Sequence, residues 1–189
     1  MQRAQPTDRE IIIAMLVNSF RNNKSVQYII KQDAKKERRL RRLMEYSYEV
    51  CSLFGDVFIT EDKAGCALII KPDKKKPSLT SLLLDVQLIT GCVGFSNLQK
   101  AMRREAIIKA QHPVGPLYYL WFIGVEPAKQ QRGIGSQLLK GVIDEAQKEG
   151  RTLCLETSTQ TNIAWYQSFG CTIYNELDFG YTLYCLKKE

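Results

Sequence analysis

The chain has 189 residues, 44% of them hydrophobic and 25% charged, a profile that fits one globular domain with a buried core. No apolar run approaches the roughly 18 residues of a membrane span, and residues 1–6 lack the apolar stretch of a secretion signal; a cytoplasmic protein with no membrane partner is expected. The net charge of +7 suits an anionic ligand, either a nucleotide or a nucleic acid.

Residues 1–5 are read as a short edge strand. Thr7-Asp8-Arg9-Glu10 has the form of a capping box, with Thr7 as cap and Glu10 reaching back to it. Ile11, Ile12, Met15, Leu16 and Phe20 then recur at helical spacing, which predicts a helix over 7–22. A second helix is expected over 33–54, with Leu40, Leu43, Met44, Ser47, Cys51 and Phe54 on one stripe. Its basic run at 35–42 falls mostly off that stripe and reads as a solvated face, as does Lys74-Lys75-Lys76 in a loop. No helix-turn-helix spacing or RNA-binding aromatic motif accompanies these charges, so a nucleic-acid-binding protein is the weakest alternative.

Gly55 is expected to close the second helix as a C-terminal glycine. Residues 57–60 and 66–70 read as a hairpin. Residues 78–110 read as helical but broken near Gly91 and Gly94, with apolar positions at Leu79, Leu82, Leu83, Val86, Phe95, Leu98 and Met102. The nearly unbroken apolar and aromatic run at 117–125 predicts a strand buried on both faces. Leu138, Leu139, Val142, Ile143 and Ala146 then define a helix that ends by Gly150. A strand at 152–157, a short helix at 161–169 and strands at 171–174 and 181–186 complete the chain. No repeat or linker divides it, so one domain spans 1–189.

The six cysteines include no C-x-x-C pair, and His112 is the only histidine. A metal site would need scattered ligands, so none is expected; the cysteines read as small core residues in a reducing compartment.

The chemical signal is a buried strand, the loop Gln130-Gln131-Arg132-Gly133-Ile134-Gly135, then a helix. A glycine turn into a helix N-terminus offers backbone N–H donors and a favourable dipole to a phosphate, with no Cβ in the way. Ser136 adds a hydroxyl at the helix start, and Arg132 a possible charge-assisted contact. The dinucleotide fingerprint fails because Leu138 stands where its third glycine belongs, and no P-loop is present.

The loop resembles the Q/R-x-x-G-x-G/A signature of the GNAT acetyltransferase superfamily, with Gln130, Gly133 and Gly135 in the signature positions. Leu155-Glu156-Thr157-Ser158, Asn162 and Tyr166-Gln167-Ser168-Phe169-Gly170 extend the resemblance, with Cys171 where the family usually has Phe. The resemblance implies an α/β (α+β) fold: a mixed, mostly antiparallel sheet with splayed middle strands and helices on both faces. It implies an acetyl-CoA-binding half at 117–189 and an acceptor-side half at 1–116, with acetyl-CoA as co-substrate and no metal.

By the same resemblance, the backbone of Ile123 and Val125 would bond the pantetheine arm. Backbone from Gln130 through Gln131, Arg132, Gly133, Ile134 and Gly135 to Ser136 would hold the pyrophosphate. Asn162 would contact the cofactor, and Tyr166 would protonate the departing thiolate. A half-buried packing aromatic is the alternative reading of Tyr166. Histone-modifying members carry a glutamate base at the position that is Tyr119 here, which leaves Glu156 as the better base candidate beside a water path. Holding the splayed strands together is an equal alternative for Glu156. His112 is read mainly as a loop residue, with a base role as the minor alternative.

The function implied is direct acetyl transfer to a primary amine of a small molecule or amino acid, by a monomer or homodimer, with strand N–H groups stabilising the oxyanion. The alternative within the same fold is an acetyl-CoA sensor without turnover. Tyr28, Tyr118, Tyr119 and Trp121 are candidate walls of an acceptor cleft.

Overall fold

The computed structural model describes the backbone of residues 1–189 and the side chains of all but residues 95 and 96. The strands are β1 (Gln2–Arg3), β2 (Gly55–Ile59), β3 (Gly65–Ile70), β4 (Leu117–Val125), β5 (Thr152–Thr157), β6 (Thr172–Asp178) and β7 (Thr182–Lys188). They form one sheet in the order β1-β2-β3-β4-β5-β7-β6. Only β4 and β5 pair in parallel; the other pairings are antiparallel. The helices are α1 (Arg9–Phe20), α2 (Lys24–Ile29), α3 (Lys36–Phe54), α4 (Leu79–Leu88), α5 (Phe95–Ala110), α6 (Ile134–Lys148) and α7 (Thr161–Ser168). Among the described residues no single helix is long and apolar enough to cross a membrane.

Strand periodicity sends alternate side chains to two cores. Val57, Ile59, Cys66, Leu68 and Ile70 pack against Ile12, Met15, Leu16, Leu40 and Met44 on one face. Phe58, Ala67 and Ile69 pack against Leu139, Val142 and Ala146 on the other. Helices therefore cover both faces of a mixed, mostly antiparallel sheet, as the resemblance implies. All six cysteines are buried and free.

Several local expectations change. Thr7 does not cap α1: Asp8 stands at the cap position without a side-chain bond into the helix, and its carboxylate instead accepts the Gln5 N–H at 2.9 Å, closing a 3₁₀ turn at Pro6–Asp8. Glu10 instead pairs with Arg9 and Arg41. The short helix α2 is an addition, started by Asn23, whose side chain accepts the Val26 N–H at 3.1 Å. Gly55 does not take the left-handed conformation of a terminal glycine (φ −163°). It is already strand, and a Cβ there would lie 2.0 Å from the Ile69 carbonyl oxygen. Close approach of two backbones, not helix termination, requires glycine here.

Leu79, Leu82, Leu83 and Val86 are exposed because α4 turns Leu84 and Leu88 to the core instead, and Met102 is exposed on α5, where Ala101 packs inward. The expected apolar position Phe95 lies outside the described side chains. The basic face of α3 is partly neutralised: Arg39 makes a two-pronged contact with Asp33 at 3.0 and 2.8 Å, and Arg41 and Arg42 both reach Glu45.

A buried polar knot ties the sheet to α6. Asp56 accepts from Tyr118 at 2.9 Å and pairs with Arg3 and with Lys71, the latter at 2.8 Å. Lys71 also reaches Glu149.

Candidate active site

The parallel pairing of β4 with β5 runs through Leu117↔Thr152, Tyr118↔Leu153 and Tyr119↔Cys154, then stops. Beyond Tyr119 the two strands diverge, so the central sheet is open at the C-terminal ends of both. Strand β4 also carries a bulge: Leu68 faces Phe122 while Ile69 faces Leu120, leaving Trp121 without a partner. The bulge reverses the alternation, so that Tyr118 and Leu120 but then Ile123 join the α6 side. Tyr119, Trp121, Ile123 and Val125 are only half-buried, which corrects the expectation of a strand buried on both faces. The C-terminal part of β4, from Tyr119 to Ile123 with Val125, is the wall of a cleft.

That cleft has a volume of about 1220 Å³, large enough for an extended ligand of more than ordinary drug size. At one end stands the glycine loop. Gln131 (φ +62°) and Gly133 (φ +80°) both adopt the left-handed conformation; for Gln131 this is a strained state of the kind that gathers at ligand sites. The first full-turn bond of α6 runs from the Gln137 N–H to the Gly133 carbonyl at 3.0 Å. The N–H groups of Ile134, Gly135 and Ser136 precede it and have no intrahelical acceptor. The wall here includes Gln130, Gln131, Gly133, Ile134, Gly135 and Ser136, whereas Arg132 is exposed and off the wall.

The Val125 carbonyl accepts from Ser19 Oγ at 3.1 Å and from Gln130 Nε2 at 3.2 Å, which pins the loop to α1. Glu126 donates its N–H to the Ala64 carbonyl on the β3 side. By alternation, the backbone groups of Ile123 and Val125 face away from β3 toward the gap beside β5. From the opposite wall, Trp165 donates to Ser136 Oγ at 3.1 Å and locks α7 to the start of α6. Asn162 is exposed and lines the cleft. Tyr166 also lines it but is 5% exposed. Burial holds its phenol above the ordinary tyrosine range, so it stays protonated.

At the fork, where β4 and β5 part, stand Glu156, Tyr119 and His112. Tyr119 donates its hydroxyl to Glu156 Oε2. His112 Nε2 lies 3.6 Å from Glu156 Oε1, and its ring is 5.2 Å from that of Tyr119. Among the described residues, His112 Nε2 and Glu156 Oε1 are the buried side-chain polar atoms with no hydrogen-bond partner. No spacing in the sequence links these three residues. The contacts depend on the register Tyr119↔Cys154 and on the entry angle of the 112–116 loop, neither of which leaves a pattern in the chain.

Of the aromatic residues proposed for an acceptor cleft, Tyr119 and Trp121 line it, joined by Tyr46. Tyr118 points the other way, to Asp56. Tyr28 packs apart from the cleft, against Phe179 and Tyr181, with Lys100 over its ring at 3.7 Å.

A sheet opened at its one parallel pair, with a glycine turn and helix N-terminus at the mouth of the opening, defines the GNAT class of acetyltransferase folds. The sequence model of the acetyltransferase (GNAT) family matches residues 30–171, and the chain belongs to that family. Among solved structures, it is similar to a protein from Corynebacterium glutamicum described as histone acetyltransferase HPA2 and related acetyltransferase (18% identity, TM-score 0.71, 99% of this chain and 93% of that one). It is also similar to the mosquito arylalkylamine N-acetyltransferase like 5b (14%, TM-score 0.58, 99% and 97%). The Drosophila melanogaster polyamine N-acetyltransferase is a third such structure (10%, TM-score 0.59, 100% and 98%). At these identities the likeness is one of fold.

Proposed function

We propose that this protein transfers the acetyl group of acetyl-CoA directly to a primary amine of a small molecule or amino acid. The observation that carries this reading is the single cleft running from the glycine loop to the fork at Glu156, with Tyr166 on its wall. The site suits the co-substrate: a phosphate needs unobstructed N–H donors, and the turn at Gly133 leads into three N–H groups free of intrahelical bonds. In this reading residues 117–189 hold acetyl-CoA and residues 1–116 shape the acceptor side.

Backbone at Ile123 and Val125 bonds the pantetheine arm, residues 130–136 hold the pyrophosphate, and Asn162 contacts the cofactor. Acetyl-CoA supplies an activated thioester. Tyr166, protonated through neutral pH, supplies the proton that the departing sulfur takes. Glu156 provides the carboxylate on the acceptor side. The described similarity to arylalkylamine and polyamine N-acetyltransferases supports an amine acceptor. Six buried free thiols fit a reducing compartment such as the cytoplasm.

Thermal denaturation with and without acetyl-CoA tests the cofactor half, and free-thiol release over a panel of primary amines tests turnover. A rise in Tm with acetyl-CoA is expected, with thiol release for at least one amine class. No stabilisation by acetyl-CoA would refute the reading. Stabilisation without turnover on any amine would leave an acetyl-CoA sensor.

A further inference from the structure

We infer that His112 and Glu156 together form the seat of the acceptor's ammonium group and that His112 takes its proton, an inference that rests on the acetyl-transfer reading above. The starting point is the unpartnered pair at the fork of β4 and β5. Glu156 Oε1 and His112 Nε2 are both buried, lie 3.6 Å apart and lack partners among the described residues. A carboxylate oxygen only accepts, and a neutral imidazole nitrogen without its proton also accepts. At 3.6 Å the two atoms are beyond direct hydrogen-bond reach, and a donor with two hydrogens placed between them would satisfy both. A nitrogen about 2.8 Å from each would see them under an angle of about 80°, which two N–H bonds of an ammonium meet with modest bending.

Neighbouring groups favour a cation there. Glu156 Oε2 is already held by the Tyr119 hydroxyl, so the carboxylate cannot turn away from the cleft without breaking that bond. Cys154, on the same strand, shares a hydrogen bond with Tyr174 at 3.4 Å. Burial above all pushes its thiol up to about 12, so it stays neutral. Glu156 and Cys154 from β5 bring their side-chain ligand atoms to within 4.8 Å of His112, the Tyr119 ring from β4 lies beside it, and Arg104, Glu105 and Lys109 from α5 line the same cleft. Glu105 and Lys109 form an exposed pair with each other at 3.4 Å. The carboxylate of Glu156 is therefore the charge that His112 meets at close range. His112, Tyr119 and Glu156 all line the same cleft as Tyr166.

The proton balance is complete. The bound ammonium gives one proton to His112 Nε2, beside the Glu156 carboxylate that stabilises the resulting imidazolium, and His112 later releases it to solvent. The neutral amine nitrogen forms the C–N bond to the thioester carbonyl carbon, the C–S bond breaks, and the sulfur takes a proton from Tyr166. The second proton of the former amine leaves through solvent and restores the phenol. Glu156 anchors the ammonium, and Tyr119 acts as a positioning residue.

The single histidine makes the test direct, because its ring resonance needs no assignment. Methylammonium chloride is exchanged for tetramethylammonium chloride at constant ionic strength while the His112 Cε1–H signal is followed by NMR. Tetramethylammonium carries the same charge but has no N–H. A saturable displacement specific to methylammonium is expected, weakened at least tenfold in Glu156→Gln. No displacement, or equal effects of the two cations, would overturn the seat; this wild-type comparison decides even if Glu156→Gln fails to fold. For a primary amine that the wild type turns over, His112→Gln should lower kcat by about 100-fold or more and leave the acetyl-CoA-induced rise in Tm intact. Retention of kcat would overturn the proton-accepting role. Absence of any acetyl-CoA effect on wild-type Tm would refute acetyl transfer, and with it proton transfer, while the cation measurement stands on its own.

Discussion

Tyr166 packs among the buried residues of the α6 side of the sheet, 4.7 Å from the Trp165 ring, and is 5% exposed. Replacing it with Phe removes one oxygen and leaves the ring in place. Among the described residues no hydrogen bond from that hydroxyl ties the fold together, so stability should change by no more than about 0.5 kcal/mol. Activity should respond differently. Loss of a positioned general acid costs about 10²- to 10⁴-fold in rate, or about 2.7 to 5.5 kcal/mol in the barrier. Burial pushes the phenol above its ordinary value. The group therefore remains protonated up to at least the ordinary tyrosine pKa of about 10, and it should impose no fall in kcat through neutral and mildly alkaline pH. Urea denaturation and thiol release, measured on wild type and Tyr166→Phe, check both halves. A variant with kcat within about threefold of wild type would refute the assigned role. So would a loss of acetyl-CoA stabilisation large enough to account for the loss of rate, since the residue would then serve binding alone.

Gly133→Ala places a side chain at φ +80°, where a Cβ meets nothing within 4 Å; the cost is conformational, about 1–2 kcal/mol. Relaxation of the loop should weaken acetyl-CoA binding about tenfold, measured by calorimetry, with little change in the unliganded Tm. Gly55→Ala sets its Cβ 2.0 Å from the Ile69 carbonyl oxygen, a backbone atom that no rotamer change can move aside. Strands β2 and β3 would have to separate, so a loss of about 3 kcal/mol or more is expected in urea denaturation. Burial alone would raise the Asp56 carboxyl, but Lys71, Tyr118 and Arg3 hold it below the usual carboxylate range. Its stabilisation is thus complete above the unfolded value of about 4 and is lost as pH falls through the lower folded value. Denaturation at graded acid pH should show this decline in wild type and a flatter one in Asp56→Asn. At neutral pH, Asp56→Ala should cost about 3 kcal/mol, because Lys71, 4% exposed, keeps only Glu149 as a counter-charge.

The cofactor side was legible because its chemistry is local. A phosphate-holding turn needs glycine at set spacings ahead of an amphipathic helix, and residues 130–150 show both in one stretch of chain. The hairpin and helices α3, α6 and α7 were legible for the same reason: their periodicity is a property of neighbouring residues. Gly55 shows the limit of such reading. Its position after a helix suggested a cap, whereas its function depends on Ile69 in the next strand. The apolar positions at Leu79, Leu82, Leu83 and Val86 do not by themselves show which face of α4 is buried, and in the fold Leu84 and Leu88 make the contacts. A short helix with many leucines offers more than one apolar face, and only the position of α3 selects between them.

By itself, then, the sequence determined the family, the mixed sheet with helices on both faces, and the loop proposed to hold acetyl-CoA. The tertiary structure decided what stands opposite that loop. Where β4 and β5 stop pairing, the bulge at Trp121 in the stretch of β4 that walls the cleft, and the meeting of His112, Tyr119 and Glu156 all depend on strand register and on segments up to 54 positions apart (Phe122 less Leu68). Register is set by the packing of whole faces against one another. No local pattern encodes it, and for that reason the acceptor side became visible only in the fold.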